Sequence, residues 1–386
     1  MRLLHITPTY LPATRYGGPI FSVHGLCRAL AARGHAVEVF TTSVDGPTNS
    51  LVPHDQPVML DGVKVHYFSS SVLRRLYWAP TLGRALRRDM PCTDAVHLHS
   101  VFLWPTWVAA REAKRSGIPY VLSPRGMLVH KLIESRHRRL KTAWITLIER
   151  SNLEAASAVH VTSPNEAEAL ETFGFQLKRV ATIPNGLNDV VESPSPDPPP
   201  DIKALRGGQP LVLFLGRLSW VKGLDRLLRA FARTTVGRLA IVGTDFDNLA
   251  SRLRELASEL GIAHRFHLIP RTVLGPDKEA VFAAASAFIL PSFSESFGNA
   301  ALEAMQRGLP AIVTRGVGIS DIVEETGGGI VVEDTVDALA SAMQRLFEDP
   351  GNCRAMGASA RQHIAERYGW TAIAPRMEAL YQSLQD

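Results

Sequence analysis

The sequence predicts an α/β protein of two domains, each a parallel sheet with helices on both faces. Three observations lead there. Short apolar runs alternate with segments whose apolar residues recur at helical spacing, the pattern of repeated strand–helix–strand units. The alternation occurs twice. Between the two series lies Ser193-Pro-Ser-Pro-Asp-Pro-Pro-Pro200, too rich in proline to pair into a sheet or continue a helix. A length of 386 residues exceeds one ordinary core and suits two such domains.

Strands of the first series are expected at residues 3–7, 36–41, 63–68, 95–99, 120–123 and 158–162, each a short run of apolar residues. Residues 21–33 carry apolar residues at helical spacing. Strands of the second series are expected at 211–216, 239–243, 266–269, 287–291 and 311–314, with a helix at 224–231. This gives an N-terminal domain over 1–190, a stiff exposed linker over 191–208 and a C-terminal domain over 209–369. The last segment has Ile373, Met377, Leu380, Tyr381 and Leu384 in a helical stripe. Two Rossmann-like domains of this kind, facing each other, would line a central cleft with loops from the carboxyl ends of their strands.

The chain is 46% hydrophobic and 20% charged, as in a soluble globular protein. No long apolar segment follows Arg2, which argues against a signal peptide. The longest nearly apolar stretch, 280–293, is too short to span a bilayer. Cys27, Cys92 and Cys353 are an odd, scattered set, which argues against a disulfide frame or a zinc site. A cytoplasmic location is expected. Residues 1–190 hold 22 Lys and Arg against 14 Asp and Glu, a balance of +8; the remainder holds 20 against 23, a balance of −3. A basic N-terminal half suits a polyanion or an anionic membrane surface; ordinary scatter is the plainer alternative.

The most telling stretch is Pro291-Ser-Phe-Ser-Glu295-Ser-Phe297-Gly298-Asn299-Ala-Ala-Leu-Glu303. It reads as a loop after a strand, then a helix starting near Gly298. The first turn, including Asn299, offers free backbone N–H groups and the positive end of a helix dipole, an anion site. Glu295 falls on the loop and Glu303 about a turn into the helix. Two acceptor-only carboxylates beside a phosphate site suit a ligand rich in hydroxyls.

A second loop, Gly216-Arg217-Leu-Ser-Trp-Val-Lys222-Gly223, follows a strand and precedes a helix. Arg217 can fork onto a diphosphate and Lys222 can add a point charge; a solvated turn is the plainer alternative. Tyr16-Gly17-Gly18-Pro19 marks another exposed helix start, or a flexible loop. No G-x-G-x-x-G follows the first strand, which disfavours a nicotinamide enzyme. In Asp94-Ala-Val-His97-Leu-His99, the two histidines share a strand face. With no third ligand nearby, zinc is not expected, and two buried, satisfied histidines remain an option.

These motifs, in this order, resemble glycosyltransferase family 4, retaining enzymes of the GT-B architecture. The paired glutamates, Arg217 and Lys222, the glycine loop and the D-x-V-H-x-H strand carry the resemblance, with Val161-Thr-Ser163-Pro-Asn-Glu166 and Ile183-Pro-Asn185-Gly186 adding to it. It implies a nucleotide-sugar donor held by the C-terminal domain and a saccharide acceptor held by the N-terminal one, with no metal or other cofactor. Arg217, Lys222, Glu295 and His99 would be catalytic; Gly17, Gly18, Arg125, Phe297, Gly298, Asn299 and Glu303 would bind the donor. Glu303 would take the ribose hydroxyls. The last helix, 370–386, would return to the first domain.

One departure stands out. Where many family members carry a histidine, this chain reads Ser123-Pro124-Arg125-Gly126-Met127, a form resembling a subgroup tied to surface-polysaccharide assembly. Arg125 there suits an anionic acceptor or a donor phosphate; a structural salt bridge is the alternative. Basic residues also interleave with apolar ones at Arg74, Arg75, Tyr77, Trp78, Arg84, Arg87 and Arg88, and at Lys131, Arg136, Arg138, Arg139 and Lys141 beside Ile133, Leu140, Trp144 and Leu147. Such a helix can lie on an anionic bilayer, or turn its apolar side to the core. The reading is a transferase acting on a lipid-linked acceptor at the inner face of the plasma membrane, with no nucleic-acid partner. Two rivals remain: a nucleotide-sugar epimerase or hydrolase using the same architecture, and a non-catalytic membrane-associated binding module.

Overall fold

A computed structural model describes residues 1–135, 138–190 and 193–385. The chain forms two compact units. One runs from Met1 to Gly186 and includes the C-terminal segment from Trp370; the other is Leu187–Gly369. Their architecture is the GT-B one, two Rossmann-like halves with parallel sheets.

The first unit contains β1 (Arg2–Ile6), β2 (Ala36–Thr42), a small hairpin of β3 (Val44–Asp45) and β4 (Thr48–Asn49), β5 (Val58–Leu60), β6 (Val63–Phe68), β7 (Ala95–His99), β8 (Tyr120–Ser123), β9 (Ala158–Val161) and β10 (Val180–Thr182). Eight of these make one sheet in the order β10-β9-β8-β7-β1-β2-β6-β5. Every pairing is parallel except β5 with β6. Strands β7, β8 and β9 are buried along their whole length, as strands covered on both faces must be. On one face lie the helix Gly18–Ala32 and the helix Trp370–Gln382, whose Leu26, Cys27, Leu30, Ile373, Met377, Leu380 and Tyr381 share a core. On the other, Leu82, Leu86, Ala109, Ala113 and Leu153 form a second core.

The second unit holds β11 (Leu211–Leu215), β12 (Arg238–Val242), β13 (Phe266–Ile269), β14 (Ala287–Leu290), β15 (Ala311–Thr314) and β16 (Gly329–Val332). All are parallel, in the order β13-β12-β11-β14-β15-β16. In each sheet the chain runs outward one way and then the other from a central strand pair. The reversal lies between β1 and β7 in the first unit and between β11 and β14 in the second. Loops leaving the carboxyl ends of such a pair diverge to opposite faces and leave a crevice, the usual ligand position in open α/β sheets.

The structure departs from the sequence reading in several places. The division falls at Gly186–Leu187, upstream of the proline run. That run is no free connector: Ser195 N donates to Pro276 O at 3.0 Å, and the turn Pro200–Lys203 buries Ile202 in the second unit. Arg271 also pairs with Asp201 at 3.0 Å, and Arg206 donates to Ser195 O at 3.0 Å. Strands β5, β10 and β16 were not expected. They sit at sheet edges and are three or four residues long, too short for a periodic signal. No helix among the described residues is long and apolar enough to cross a membrane.

The C-terminal helix is fitted by two glycines. A Cβ on Gly25 would lie 2.5 Å from Trp370 Nε1, and one on Gly186 would lie 2.5 Å from Trp370 Cδ2. Only glycine leaves room for the indole from both sides. Gly186→Ala should therefore cost about 1–3 kcal/mol through overpacking, read as a lowered urea midpoint with an unchanged slope. An unaltered midpoint would mean that Trp370 is not seated there.

Candidate active site

The reversal between β11 and β14 brings two sequence motifs together. The loop after β11 carries Arg217 and Lys222; the loop after β14 carries Glu295. They are stitched directly, Phe293 N donating to Val221 O at 2.9 Å. The Lys222 ammonium forms an ion pair with the Glu295 carboxylate, and both side chains are largely shielded from solvent. Glu295 is held by its backbone as well: its N–H donates to Gly316 O at 3.0 Å and its carbonyl accepts from Gly318 N at 2.9 Å. Arg217 lies over the Phe246 ring, 4.9 Å from the centroid, a stacking that aims a planar cation while leaving its N–H edge available.

The helix Asn299–Gln306 follows at once. Gly298 caps it with φ 109°, a conformation side chains avoid, and a Cβ there would press against Val317 and Leu290 at 3.0 and 3.2 Å. The Phe297 side chain is buried in the core of the second unit and does not face a ligand. Glu303, inside the helix, pairs with Lys278 at 2.7 Å. Sequence reasoning missed Lys278, because it arrives from the separate helix Gly275–Ala284.

Sequence reasoning also missed Arg226. Its guanidinium donates to Pro291 O at 2.5 Å and to Asp334 O at 2.5 Å, pairs with the Asp334 carboxylate at 3.1 Å, and lies over Phe293 at 4.1 Å. It thereby ties the helix that follows Lys222 to the start of the Glu295 loop. Nothing in the spacing of the sequence marks such a cross-link.

In the first unit, Gly17 (φ 70°) caps the helix Gly18–Ala32, with Pro19 in its first turn. Behind it lies a buried polar chain. Burial lowers the pKa of His5 and of His160 to about 3, and holds His97 and His99 well below the ordinary imidazole value; the nearby Arg125 charge and the neighbouring imidazoles add to this. All four are therefore neutral, and their tautomers follow from their partners. His160 Nε2 donates to the Ile183 carbonyl at 2.8 Å, so its Nδ1 accepts from Ser123 Oγ at 2.8 Å. Ser123 in turn accepts from His97 Nε2 at 2.7 Å, and His97 Nδ1 accepts from the Tyr381 hydroxyl at 2.7 Å. Separately, Arg125 Nη2 donates to His99 Nδ1 at 3.1 Å, so His99 Nε2 donates to His5 Nδ1 at 3.1 Å.

His99 is thus as buried as His97, with both ring nitrogens engaged. Its burial corrects its expected place as a group facing the reaction. On distance alone, nitrogens of His5, His97 and His99, all within 4.8 Å of one another, could hold a metal. The hydrogen bonds commit both nitrogens of His97, and the Arg125 cation beside His99 opposes a second positive charge. Glu149, also unforeseen, is fully buried and accepts from Phe102 N at 2.6 Å, fixing the loop after β7 where Ser100 and Phe102 adopt positive φ.

The membrane-facing stripe needs revision. Ile133 is buried, Trp144 donates to Glu149 at 2.9 Å, and only Leu140 and Leu147 project into solvent, at 69% and 78% exposure. Arg136 lies outside the described residues. Arg138, Arg139, Thr142, Ala143, Thr146 and Leu147 line a shallow groove on this surface. Arg74 is committed to the β3–β4 hairpin, donating to Gly46 O and Ser70 O at 3.1 Å each.

Comparison with known proteins covers both units. The family described as "Glycosyl transferases group 1" matches residues 200–363, and "Glycosyl transferase 4-like domain" matches residues 17–186. A D-inositol 3-phosphate glycosyltransferase of Pseudarthrobacter chlorophenolicus is 30% identical, over 96% of this chain and 91% of the relative. An uncharacterised glycosyltransferase of Methanocaldococcus jannaschii is 25% identical, over 99% and 98%. Among solved structures, the sucrose-phosphate synthase of Thermosynechococcus elongatus superposes with a TM-score of 0.79 at 24% identity, covering 99% of this chain and 98% of its own. The Anabaena protein HepE, solved with UDP and glucose, gives 0.77 at 19%, covering 99% and 100%.

The buried histidines make acid stability a test of the network. Their folded pKa values lie below the unfolded value of about 6.5, so the unfolded chain binds more protons between the two. Their stabilisation is complete above pH 6.5 and is lost progressively as pH falls toward about 3, where His5 and His160 titrate in the folded chain. Each contributes a slope of roughly 1 kcal/mol per pH unit in that window. Urea midpoints measured from pH 7 to 4 should fall accordingly; a flat profile would show that these histidines are solvated.

Proposed function

The chain belongs to the group 1 glycosyltransferases, and on that premise we propose that it moves a sugar from a nucleotide-sugar donor to a saccharide acceptor with retention at the anomeric carbon. The observation that carries the reading is that the loops bearing Arg217, Lys222 and Glu295 meet at a strand-order reversal, followed at once by the helix that starts at Asn299. A diphosphate fits that chemistry: a guanidinium fork, an ammonium and backbone N–H groups in one crevice. Lys222 now neutralises Glu295; a bound diphosphate would compete for the ammonium and release the carboxylate toward the donor sugar. Glu303 would exchange Lys278 for ribose hydroxyls. As the donor bond breaks, Arg217 and Lys222 stabilise the charge growing on the departing diphosphate, so no metal ion is called for. The relative solved with UDP supports a nucleoside diphosphate as the leaving group.

The acceptor in this proposal is lipid-linked, and the product is a cell-surface polysaccharide. The Ser123-to-Met127 form, the +8 balance of residues 1–190 and the exposed Leu140 and Leu147 beside Arg138 and Arg139 support it. The protein would act in the cytoplasm, resting peripherally on the inner face of the plasma membrane.

Arg217→Ala and Lys222→Ala should each lower turnover by about 100-fold, the usual cost of losing one charge-stabilising donor. Glu303→Gln should weaken nucleoside diphosphate binding, whereas Glu295→Gln should mainly slow transfer. Near-normal turnover in the two folded cation variants sinks the diphosphate assignment. Sedimentation with vesicles should need anionic lipid and decline with salt. Charge reversal at Arg138 and Arg139 should weaken it while donor binding persists. Efficient transfer to a short water-soluble sugar without vesicle binding contradicts the membrane acceptor.

A further inference from the structure

Arg125 is a cation without an anion. Its Nη1 donates to Asn185 Oδ1 at 2.9 Å and its Nη2 to His99 Nδ1 at 3.1 Å, both neutral acceptors. Its Nε is buried and has no partner. Among the described residues no carboxylate forms an ion pair with it. The nearest acidic influence is Glu166, whose oxygens are taken by Gly126 N at 2.6 Å and by Thr162 N and Oγ1 at 2.8 Å each. Burial disfavours the charged guanidinium and lowers its pKa, though it stays protonated at any physiological pH.

The surroundings are built to keep this charge in place. Arg125 adopts φ 56°, a strained conformation for a long side chain, and Gly126 follows at 73°. Glu166 secures that turn by its bond to Gly126. His99 presents a lone pair to the guanidinium because burial keeps the ring neutral and His5 takes its other N–H. A partly buried positive charge, unpaired and held by a strained backbone, is costly unless a ligand supplies the opposite charge. The group lies at the carboxyl ends of β7 and β8, beside the strand-order reversal of the first unit.

We infer that Arg125 binds an anionic group on the acceptor saccharide, a carboxylate or a phosphate, with His99 and Asn185 as positioning residues. The inference rests on the transferase reading for the word acceptor; the anion site itself stands on the first unit alone. It makes the acceptor an acidic sugar. The preceding reaction must then leave a uronate or a sugar phosphate at the growing end.

Calorimetric titration of the full chain with glucuronate, glucose 6-phosphate and glucose tests this. At least one charged sugar should bind ~10-fold more tightly than glucose, the scale of one charge-assisted pair. Which one does so separates the carboxylate source from the phosphate. Arg125→Gln should erase the excess. Arg125→Lys, which keeps the charge but not the fork, should retain part of it and shows that the loss is not one of folding. Arg217→Ala should preserve the excess, since that cation belongs to the donor loop. Equal binding of all three sugars, or an excess that survives Arg125→Gln, overturns the inference. So does loss of UDP affinity in Arg125→Gln, which would assign the guanidinium to the donor. A wild-type chain that binds neither UDP nor ADP contradicts the donor reading instead, and the comparison of sugars still decides the anion site.

Discussion

The reversal of strand order between β11 and β14 is the constraint on which the donor-side chemistry depends. Parallel strands that start from one pair and run outward leave their first loops facing each other. Here those loops carry opposite charges, and the Lys222–Glu295 ion pair joins residues far apart in sequence. Neither charge is paired by its own loop. The pair persists because Phe293 and Val221 are stitched by backbone, Arg226 braces Pro291, and Gly298 lets the following helix start close by. A shielded ion pair gains little net stability over apolar packing, since both charges lose water. Its value here lies in arrangement: it holds an ammonium and a carboxylate side by side at the strand-order reversal.

The first unit solves a related problem by another route. It keeps a cation partly buried without spending a carboxylate on it. Neutral imidazoles make this feasible, because each can accept one hydrogen bond and pass on another with a defined direction. The chain from Tyr381 through His97, Ser123 and His160 to the Ile183 carbonyl fixes the C-terminal helix to the sheet. The shorter chain from Arg125 through His99 to His5 orients the guanidinium. Trp370, seated between Gly25 and Gly186, anchors the same helix from its other end.

Much of this was legible in the residues. Short apolar runs and helical patterns located the central strands, because strands buried on both faces must be apolar throughout. The places of Arg217, Lys222, Glu295 and Gly298 were legible because glycine and charged residues stood at strand ends and helix starts. What the sequence hid were partners that only folding brings together: Lys278 on Glu303, Arg226 across two loops, Glu149 under the loop after β7, and Tyr381 on His97. The edge strands β5, β10 and β16 escaped because three or four residues carry little pattern. His99 looked like a ligand-facing group because strand alternation tells which face a side chain takes, not how deep that face lies. The apolar stripe near Leu140 was legible only in part, as Trp144 turns inward to a buried carboxylate that composition cannot reveal.

The central claim is that Arg217 and Lys222 form a diphosphate site whose resting occupant is Glu295. A crystal structure of the chain with a bound nucleoside diphosphate tests it most directly. The account predicts phosphate oxygens within hydrogen-bond distance of Arg217 and Lys222, at the start of the helix Asn299–Gln306, with the Lys222–Glu295 contact opened. A nucleotide bound with that ion pair intact, or with its phosphates away from both cations, would contradict it.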